Sequence, residues 1–358
     1  MSTSGLMPRV DELLGVMCRD AVYCTGAQVF VWTPSDGQFE ACFGTDHRGA
    51  PMRVDHLHST FCVSKPILPL TLAALVDRGL VNFDCSVGDL VGWVPRSIAS
   101  VSIRELLTHN AGMLRPSAVE WRLASRADQS RLLLKSTAQR GVAAHSDISA
   151  WVFAEQIVEA AVQAPVAEHV RSTLLHPLGL SSAIVYPGHP GAEVEVDRIG
   201  VSMAGLPVQR IPMLSELLPA ELYRARPAHG ALTTASAVGR ILRYVYESAQ
   251  LSLSDRKAGS PAIADLLAMR RGHRYDQGIG RECDFAGGFM CDMSHHLMSS
   301  RFSPESFGYS SGYANAFGVL DLNLEVVMSV MLNGAMLDPE SLALTRRTVT
   351  TAILKDVL

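Results

Sequence analysis

The alternation of apolar and polar positions changes along the chain, and each change predicts a different element. Residues 10–24 carry apolar side chains at helical spacing. The next two apolar stretches, 27–32 and 39–44, are short, contain valine and aromatic residues, and are separated by turn-forming residues at 33–37. We therefore expect a helix followed by a β-hairpin at the N-terminus.

Helical patterns dominate the middle of the chain, and strand patterns return near its end. Residues 80–190 show mostly helical spacing, with a capping-box signal that begins at Ser102. The stretches 314–321 and 325–333 predict two antiparallel strands, and 339–356 predicts a closing helix. Strands at both ends with helices between them predict an α+β fold, in which one sheet joins the two ends of the chain.

Composition limits the classes of protein to which the chain can belong. With 358 residues, 48% of them hydrophobic and 18% charged, the chain can bury a large core in one two-lobed domain or in two domains. The formal net charge is −4 and no long basic run is present, which argues against a nucleic-acid partner. No apolar run reaches the ~18 residues that would span a membrane, so no membrane partner is expected.

The cysteines and the N-terminus bear on the compartment. The seven cysteines are odd in number and scattered, without a C-x-x-C pair. They indicate reduced thiols rather than a disulfide framework or a zinc site, and we expect no metal or other cofactor. The first residues lack the basic and apolar regions of a signal peptide. A cytoplasmic location is therefore expected.

One short segment combines groups that could carry chemistry. Cys62 is followed after two residues by Lys65, at the start of a long apolar run, which is the spacing of the S-x-x-K nucleophile motif. In a helix these two side chains would share a face and the positive end of the macrodipole. Only four of the 31 basic residues are Lys, which suggests a chemical role, because Arg cannot lose its proton. Pro66 and Pro69 leave two alternatives, a helix that begins near Pro66 or one that is kinked.

Five blocks, in order, resemble the motifs of one enzyme superfamily. They are Phe61–Pro66, Leu75–Asp84, Val101–Met113, His176–Leu180 and Pro227–Thr234. Over about residues 10–335 the chain thus resembles class C β-lactamase-like and penicillin-binding-protein-like serine hydrolases, and in particular their transesterase and acyltransferase branch.

This resemblance implies a β-lactamase/transpeptidase-like α+β fold, with an antiparallel sheet flanked by terminal helices and an inserted, mostly helical lobe. It implies a single catalytic domain over residues 10–350. The α/β lobe would comprise about 1–56 and 285–358, and the mostly helical lobe about 57–284.

The first two catalytic motifs depart from the family pattern. Cys62 stands where the family has its nucleophilic Ser. The Tyr-x-Asn motif aligns with His145-Ser146-Asp147. The resemblance therefore implies that His145 takes the proton-transfer role of the Tyr, and that Asp147 takes the substrate-binding position of the Asn.

The third motif, Lys/His-Thr/Ser-Gly on an inner strand, has also lost its positive charge. Ser310 replaces the cation if the strand is aligned on Asp321, and Tyr309 replaces it if the alignment follows Phe307-Gly308. In the first alignment Ser311 and Gly312 complete the motif. By the resemblance, all four residues from Tyr309 to Gly312 are candidates for binding the substrate or the oxyanion.

These replacements fit one chemical logic. A thiol ionises more readily than a hydroxyl, and a neighbouring ammonium favours the thiolate. We therefore expect Lys65 to stay protonated beside the Cys62 thiolate, and Asp147 to hold the Lys65 charge. His145, with an ordinary pKa of ~6.5, suits proton transfer. By the resemblance, the oxyanion hole comprises the N–H of Cys62 and one from the strand around Ser311–Gly312.

The expected function is acyl transfer through a thioester at Cys62, in natural-product biosynthesis. The acceptor would be a small-molecule amine or alcohol, and the donor a carrier-protein or coenzyme A thioester. Two alternatives stay open: an esterase or amidase of the same fold, and a non-catalytic binding protein with drifted motifs. A Cys introduced into a serine enzyme would leave His145 and Asp147 unexplained.

Overall fold

Strands from both ends of the chain form one antiparallel sheet in this computed structural model. The expected hairpin consists of β1 (Gly26–Thr33) and β2 (Gly37–Gly44). β1 also pairs with β11 (Val326–Ala335), which pairs with β10 (Ala314–Asp321), and β10 pairs with β9 (Ser306–Ser310). The strand order β2-β1-β11-β10-β9 confirms that the sheet joins the two ends of the chain.

The chain divides into two compact units. The structure describes residues 7–21, 24–46, 48–117, 120–121, 124–186, 231–254, 259–311, 314–335 and 338–358. Unit 1 comprises Met1–Ser64, Leu178–Tyr246 and Asp292–Leu358, and unit 2 comprises Lys65–Pro177 and Glu247–Cys291. Unit 1 thus includes Leu178–Tyr246, whereas the sequence analysis assigned this segment to the mostly helical lobe. The prediction of a single catalytic domain stays a prediction.

The terminal helices of unit 1 pack against each other. The amides of Arg9 and Val10, in α1 (Pro8–Arg19), donate to the Asp356 carboxylate of α11 (Pro339–Val357) at 3.0 Å. α1 ends earlier than its apolar spacing predicts, because Ala21 adopts a left-handed backbone conformation with φ 49°. A small second sheet has the order β3-β5-β4, formed by His58–Ser59, Leu232–Thr233 and Ile184–Val185.

A long helix, α9 (Ala235–Ser254), lies on one face of the unit 1 sheet. The ring of Phe30 in β1 occupies the space beside Gly239, and the side chains of Val238 and Leu242 lie over Gly318 in β10. Because side chains directly opposite each other on neighbouring strands share a face, these contacts identify which residues of each strand face α9.

Unit 2 is built mainly from helices. Its α-helices are α2 (Ile67–Asp77), α3 (Val87–Leu90), α4 (Arg96–Ala99), α5 (Ile103–Leu107), α6 (Arg126–Leu134), α7 (Ser149–Val162), α8 (Val166–Val170) and α10 (Pro261–Ala268). Its three strands, β6 (Arg274–Asp276), β7 (Arg281–Ala286) and β8 (Phe289–Cys291), follow the order β8-β7-β6. The expected capping box is present: the Ser102 amide donates to the Glu105 carboxylate at 2.9 Å, and the Glu105 amide donates to Ser102 Oγ at 3.2 Å.

Across the described ranges, every helix is too short or too polar to cross a lipid bilayer. The predicted α+β fold class is confirmed by the antiparallel sheet, the terminal helices and the helix-rich insertion between them.

Candidate active site

The candidate nucleophile lies in a tight turn that precedes a buried helix. Phe61–Ser64 forms a 3₁₀ turn, and α2 begins only at Ile67. The alternative in which the helix begins near Pro66 is therefore confirmed, with Pro66 as the residue before the first helical position. Pro69 lies in the first turn, where a missing N–H removes no intrahelical hydrogen bond. Cys62 and Lys65 thus do not share one turn of α-helix, contrary to the simplest interpretation of their spacing.

Cys62 differs in exposure from the residues that follow it. Its side chain is partly exposed, whereas every residue from Val63 to Ala73 is buried. Within unit 1 the 3₁₀ turn packs against β9 and β10. Thr60 fixes the start of the turn, because its N–H and its hydroxyl both donate to the Ala231 carbonyl, at 3.3 and 3.1 Å. The thiol is therefore held on a rigid support and left accessible.

The third motif lies at the end of β9, next to the turn that carries Cys62. Tyr309, Ser310 and Ser311 are all buried. The Ser311 N–H donates to the Ala316 carbonyl at 3.0 Å, and the Ser311 carbonyl accepts from the Arg346 guanidinium. The Ser311 N–H is thus already used within the sheet. Gly312, the other residue expected near the oxyanion, lies outside the described residues.

The register of the sheet separates Tyr309 from Ser310. Tyr309 lies opposite Gly318, which lies opposite Ser329, and Ser329 lies opposite Phe30. Gly318 and Phe30 both face α9, so Tyr309 lies on the α9 face and Ser310 on the other. The Cys62 turn follows β3, which pairs with β5, the strand that leads into α9.

In unit 2, Lys65 is fully buried against an aromatic ring. Its Nζ lies 5.6 Å from the ring centroid of Trp151, in a cation–π arrangement. The Trp151 Nε1–H donates to the Ser146 carbonyl at 2.8 Å. The same indole therefore contacts Lys65 and holds the loop of the second motif.

The loop that carries His145 is held by three consecutive backbone amides. The N–H of Ala144 donates to the His109 carbonyl at 3.0 Å, and the N–H of His145 donates to Asp276 Oδ1 at 2.8 Å. The N–H of Ser146 donates to His109 Nδ1 at 3.3 Å. We refer to this arrangement, in which His109 and Asp276 bind the amides of Ala144, His145 and Ser146, as the amide clamp.

A buried ion pair supports the amide clamp. Arg271 Nη1 donates to Asp276 Oδ2 at 2.7 Å and to the His109 carbonyl at 3.1 Å, and both charged side chains are fully buried. Burial raises the pKa of Asp276, but hydrogen bonds from the His145 amide and from Arg271 outweigh it and lower the pKa below its ordinary value. Asp276 therefore remains a carboxylate that accepts from the loop.

The imidazoles of His109 and His145 are neighbours. Their ring centroids lie 4.6 Å apart, and the His145 ring stacks on Phe285 at 5.3 Å. Burial lowers the pKa of both histidines, and Lys65 adds to this effect. The Asp147 carboxylate opposes it at His145, because Asp147 Oδ1 lies 3.6 Å from His145 Nδ1. His145 is thus neutral near pH 7, which is the state in which an imidazole accepts a proton.

The structure brings some of the predicted residues together and adds others. Within unit 2, Lys65 and Asp147 both act on the pKa of His145, and Asp147 Oδ1 lies 3.6 Å from His145 Nδ1. The expected ion pair of Asp147 with Lys65 stays a prediction. His109 belongs to the Val101–Met113 block, but spacing alone assigned it no role. Asp276 lies 131 positions from His145, and Arg271 lies 162 positions from His109, so that only the tertiary structure reveals their part in the site.

Comparison with known proteins identifies the fold. A sequence model of the family described as Beta-lactamase matches residues 19–351. No curated protein matches the chain. Among solved structures, a penicillin-binding protein homolog from Caulobacter crescentus is 20% identical with a TM-score of 0.72, the alignment covering 97% of this chain and 98% of that one.

Two further structures show the same architecture. A family VIII carboxylesterase is 18% identical with a TM-score of 0.73, over 99% of this chain and 98% of that one. EstCE1, described as a hydrolase with promiscuous acyltransferase activity, is 15% identical with a TM-score of 0.73, over 98% of each chain. At these identities the similarity shows the fold and no more.

Proposed function

Because the chain belongs to the Beta-lactamase family, we propose that it is an acyltransferase whose nucleophile is the thiol of Cys62. The observation that carries this proposal is the exposure of Cys62 directly before a segment that is otherwise buried, at the position of the family's nucleophile. A drifted, non-catalytic protein has no need to keep a reactive side chain accessible there.

The proposed reaction balances without a cofactor. The Cys62 thiolate attacks the carbonyl of an acyl thioester, a new C–S bond forms, and the donor thiolate leaves. An amine or alcohol then attacks the acyl-enzyme while neutral His145 takes its proton, and the Cys62 C–S bond breaks. The proton returns to the donor thiolate, so that a thioester and an acceptor give an amide or ester and a free thiol.

Lys65 and Tyr309 have supporting roles in this proposal. The buried ammonium of Lys65 stabilises the thiolate, and it cannot be exchanged for the larger, planar guanidinium of Arg. Tyr309 is favoured over Ser310 as the replacement for the missing cation, because it lies on the α9 face of the sheet, and the strand before the Cys62 turn pairs with the strand that leads into α9. A neutral phenol there suits a substrate without the carboxylate of a β-lactam.

The donor and acceptor classes follow from the same chemistry. Thioesters carried by coenzyme A or a carrier protein exchange readily with an enzyme thiol, and a small amine or alcohol would accept the acyl group. A cytoplasmic location and a role in natural-product biosynthesis belong to this proposal. The fold similarity to EstCE1, described as a hydrolase with promiscuous acyltransferase activity, supports transfer as well as hydrolysis.

The first prediction tests the nucleophile. Incubation with a panel of acyl-coenzyme A thioesters of different chain length should add one acyl mass to the protein, and peptide mapping should place it on Cys62. Cys62→Ala should show no adduct. Cys62→Ser, which replaces only sulfur by oxygen, should acylate at least about 100-fold more slowly, because a hydroxyl needs a strong base.

The fate of the adduct separates the candidate functions. Release that depends on an added amine or alcohol supports transfer, whereas steady release into water supports an esterase or amidase. If no thioester modifies Cys62, and Cys62→Ala has the properties of the wild-type protein, the enzyme proposal is wrong and the drifted binding protein is favoured.

A further inference from the structure

We infer that His109 is a positioning residue that sets the orientation of His145. This inference rests on the role proposed above for His145 and extends it to His109, which lies in the Val101–Met113 block but outside the three catalytic motifs. His109, His145, Asp276 and Arg271 all lie within unit 2.

The backbone of His109 is held in an unfavourable conformation. Its φ is 52°, in the left-handed region, which residues other than Gly adopt only at an energetic cost. Such conformations persist where the surroundings impose them, and they concentrate at functional sites. Here the conformation turns the carbonyl of His109 toward the Ala144 amide and Arg271, at 3.0 and 3.1 Å.

The backbone carbonyl and the ring of His109 bind the residues on either side of His145. The His109 carbonyl accepts from Ala144, and Nδ1 of its ring accepts from Ser146. His109 thus binds the amides of the residues before and after the proposed base, while Asp276 binds the amide of His145 itself. A loop held at three successive amides keeps the direction of its side chain, which is what a base in proton transfer requires.

The hydrogen bonding of the His109 ring also defines its tautomer. Because Nδ1 accepts a hydrogen bond, the proton of the neutral ring is on Nε2. Nε2 is buried and has no hydrogen-bond partner among the described residues. An unsatisfied buried donor is destabilising, so a ring kept only for packing would be better replaced by an apolar one. The acceptor at Nδ1 is the property that requires histidine.

The second prediction uses two complementary variants. His109→Phe keeps an aromatic ring but removes the acceptor for the Ser146 amide. His109→Asn loses the ring but keeps an acceptor close to the backbone, and Asn tolerates the left-handed conformation. If His109 positions His145, His109→Phe should lower acyl transfer at least about tenfold and His109→Asn only about threefold or less. A packing role predicts the opposite order.

Two further measurements separate this inference from the proposed function. In the wild-type protein, ¹⁵N chemical shifts should show Nδ1 of His109 unprotonated at pH 7; a protonated Nδ1 overturns the inference. In an NMR titration, the His145 pKa should rise toward its ordinary value in His109→Phe and stay close to the wild-type value in His109→Asn. The same His145 pKa in wild type and His109→Phe would also overturn it.

These NMR readouts require no turnover. If no thioester acylates Cys62, the proposed function fails, and the inference about His109 is still decided by the titration. If acylation and acceptor-dependent release are normal in both variants, the proposed function stands and His109 has no positioning role.

Discussion

At the scale of single residues, the cysteines show how local surroundings distinguish one thiol from another. Burial, as the largest cause, raises the pKa of Cys42 to about 12 and that of Cys283 to about 11. The pKa of the buried Cys24 is raised as well, mainly by its hydrogen bond with Cys18. Cys62 is partly exposed and precedes a buried lysine. These surroundings favour Cys62 as the reactive thiol.

The third prediction concerns this reactivity. With about one equivalent of iodoacetamide at pH 7, Cys62 should be alkylated before the other cysteines, because a thiolate is the reacting species. Lys65→Gln removes the buried charge and should slow the reaction about tenfold. Lys135→Gln, at an exposed position, is the matched control and should react at the wild-type rate. Alkylation of the similarly exposed Cys85 at an equal rate would contradict the prediction.

The sequence alone suggests Cys62, Lys65, His145 and Asp147 as site residues, because each aligns with a motif position of the family, and this assignment stays a prediction. The sequence was not sufficient to choose between Tyr309 and Ser310, since that choice depends on which face of the sheet each one occupies. It also could not reveal Asp276, whose part in the amide clamp depends on a contact across 131 positions.

At the scale of elements, the packing of α9 on its sheet depends on small residues at fixed positions. A Cβ atom at Gly239 would lie 2.0 Å from the Phe30 ring, and one at Gly318 would lie 2.7 Å from Val238. At the edge of the same face, the Ser236 hydroxyl donates to Glu40 at 2.5 Å. Helix α9 thus approaches the sheet unusually closely over the row of opposed residues that runs from Phe30 through Ser329 and Gly318 toward Tyr309.

The fourth prediction compares two helical glycines. Gly239→Ala should lower the free energy of unfolding by roughly 1–3 kcal/mol, because the added methyl group overpacks the space that the Phe30 ring fills. Gly15→Ala in α1, where a Cβ would meet no atom within 4 Å, should raise it by roughly 0.5–1 kcal/mol through helix propensity. Urea denaturation of both variants measures the difference; stabilisation by both would show that Phe30 moves freely.

Element types were predictable wherever periodicity extended over a whole element, as in the β1–β2 hairpin, β10, β11 and the terminal helix. The 3₁₀ turn at Phe61–Ser64 was not, because a four-residue element has too few positions to show a period. The two prolines gave the useful signal here, since Pro66 marks the boundary between turn and helix. Local patterns cannot say how closely α9 approaches the sheet.

At the scale of the whole molecule, buried histidines make stability depend on pH. Five described histidines, at positions 56, 58, 109, 145 and 169, have a pKa lowered mainly by burial. The pKa of His58 falls to about 3. In the unfolded chain these groups would titrate near ~6.5. The unfolded state therefore binds more protons than the folded state below that pH, and stability is lost as the pH falls through it.

The fifth prediction is a loss of thermal stability on acidification. The melting temperature should fall by several degrees between pH 7.5 and pH 5, since each pH unit between its two pKa values removes about 1.4 kcal/mol for a fully shifted histidine. His58→Gln, which does not titrate, should reduce the slope. His295→Gln, at a half-exposed site, is the control and should leave it unchanged. A melting temperature that rises on acidification would contradict the prediction.

The amide clamp has a consequence for how this site could arise during evolution. His109 and Asp276 grip peptide groups of the loop, and none of these three hydrogen bonds uses the side chain at position 145. Another side chain at position 145, such as tyrosine, would therefore leave the anchoring of that segment intact. The backbone of this loop is thus held in place independently of the chemical type of the side chain at position 145, so that substitutions there can change the chemistry and keep the scaffold.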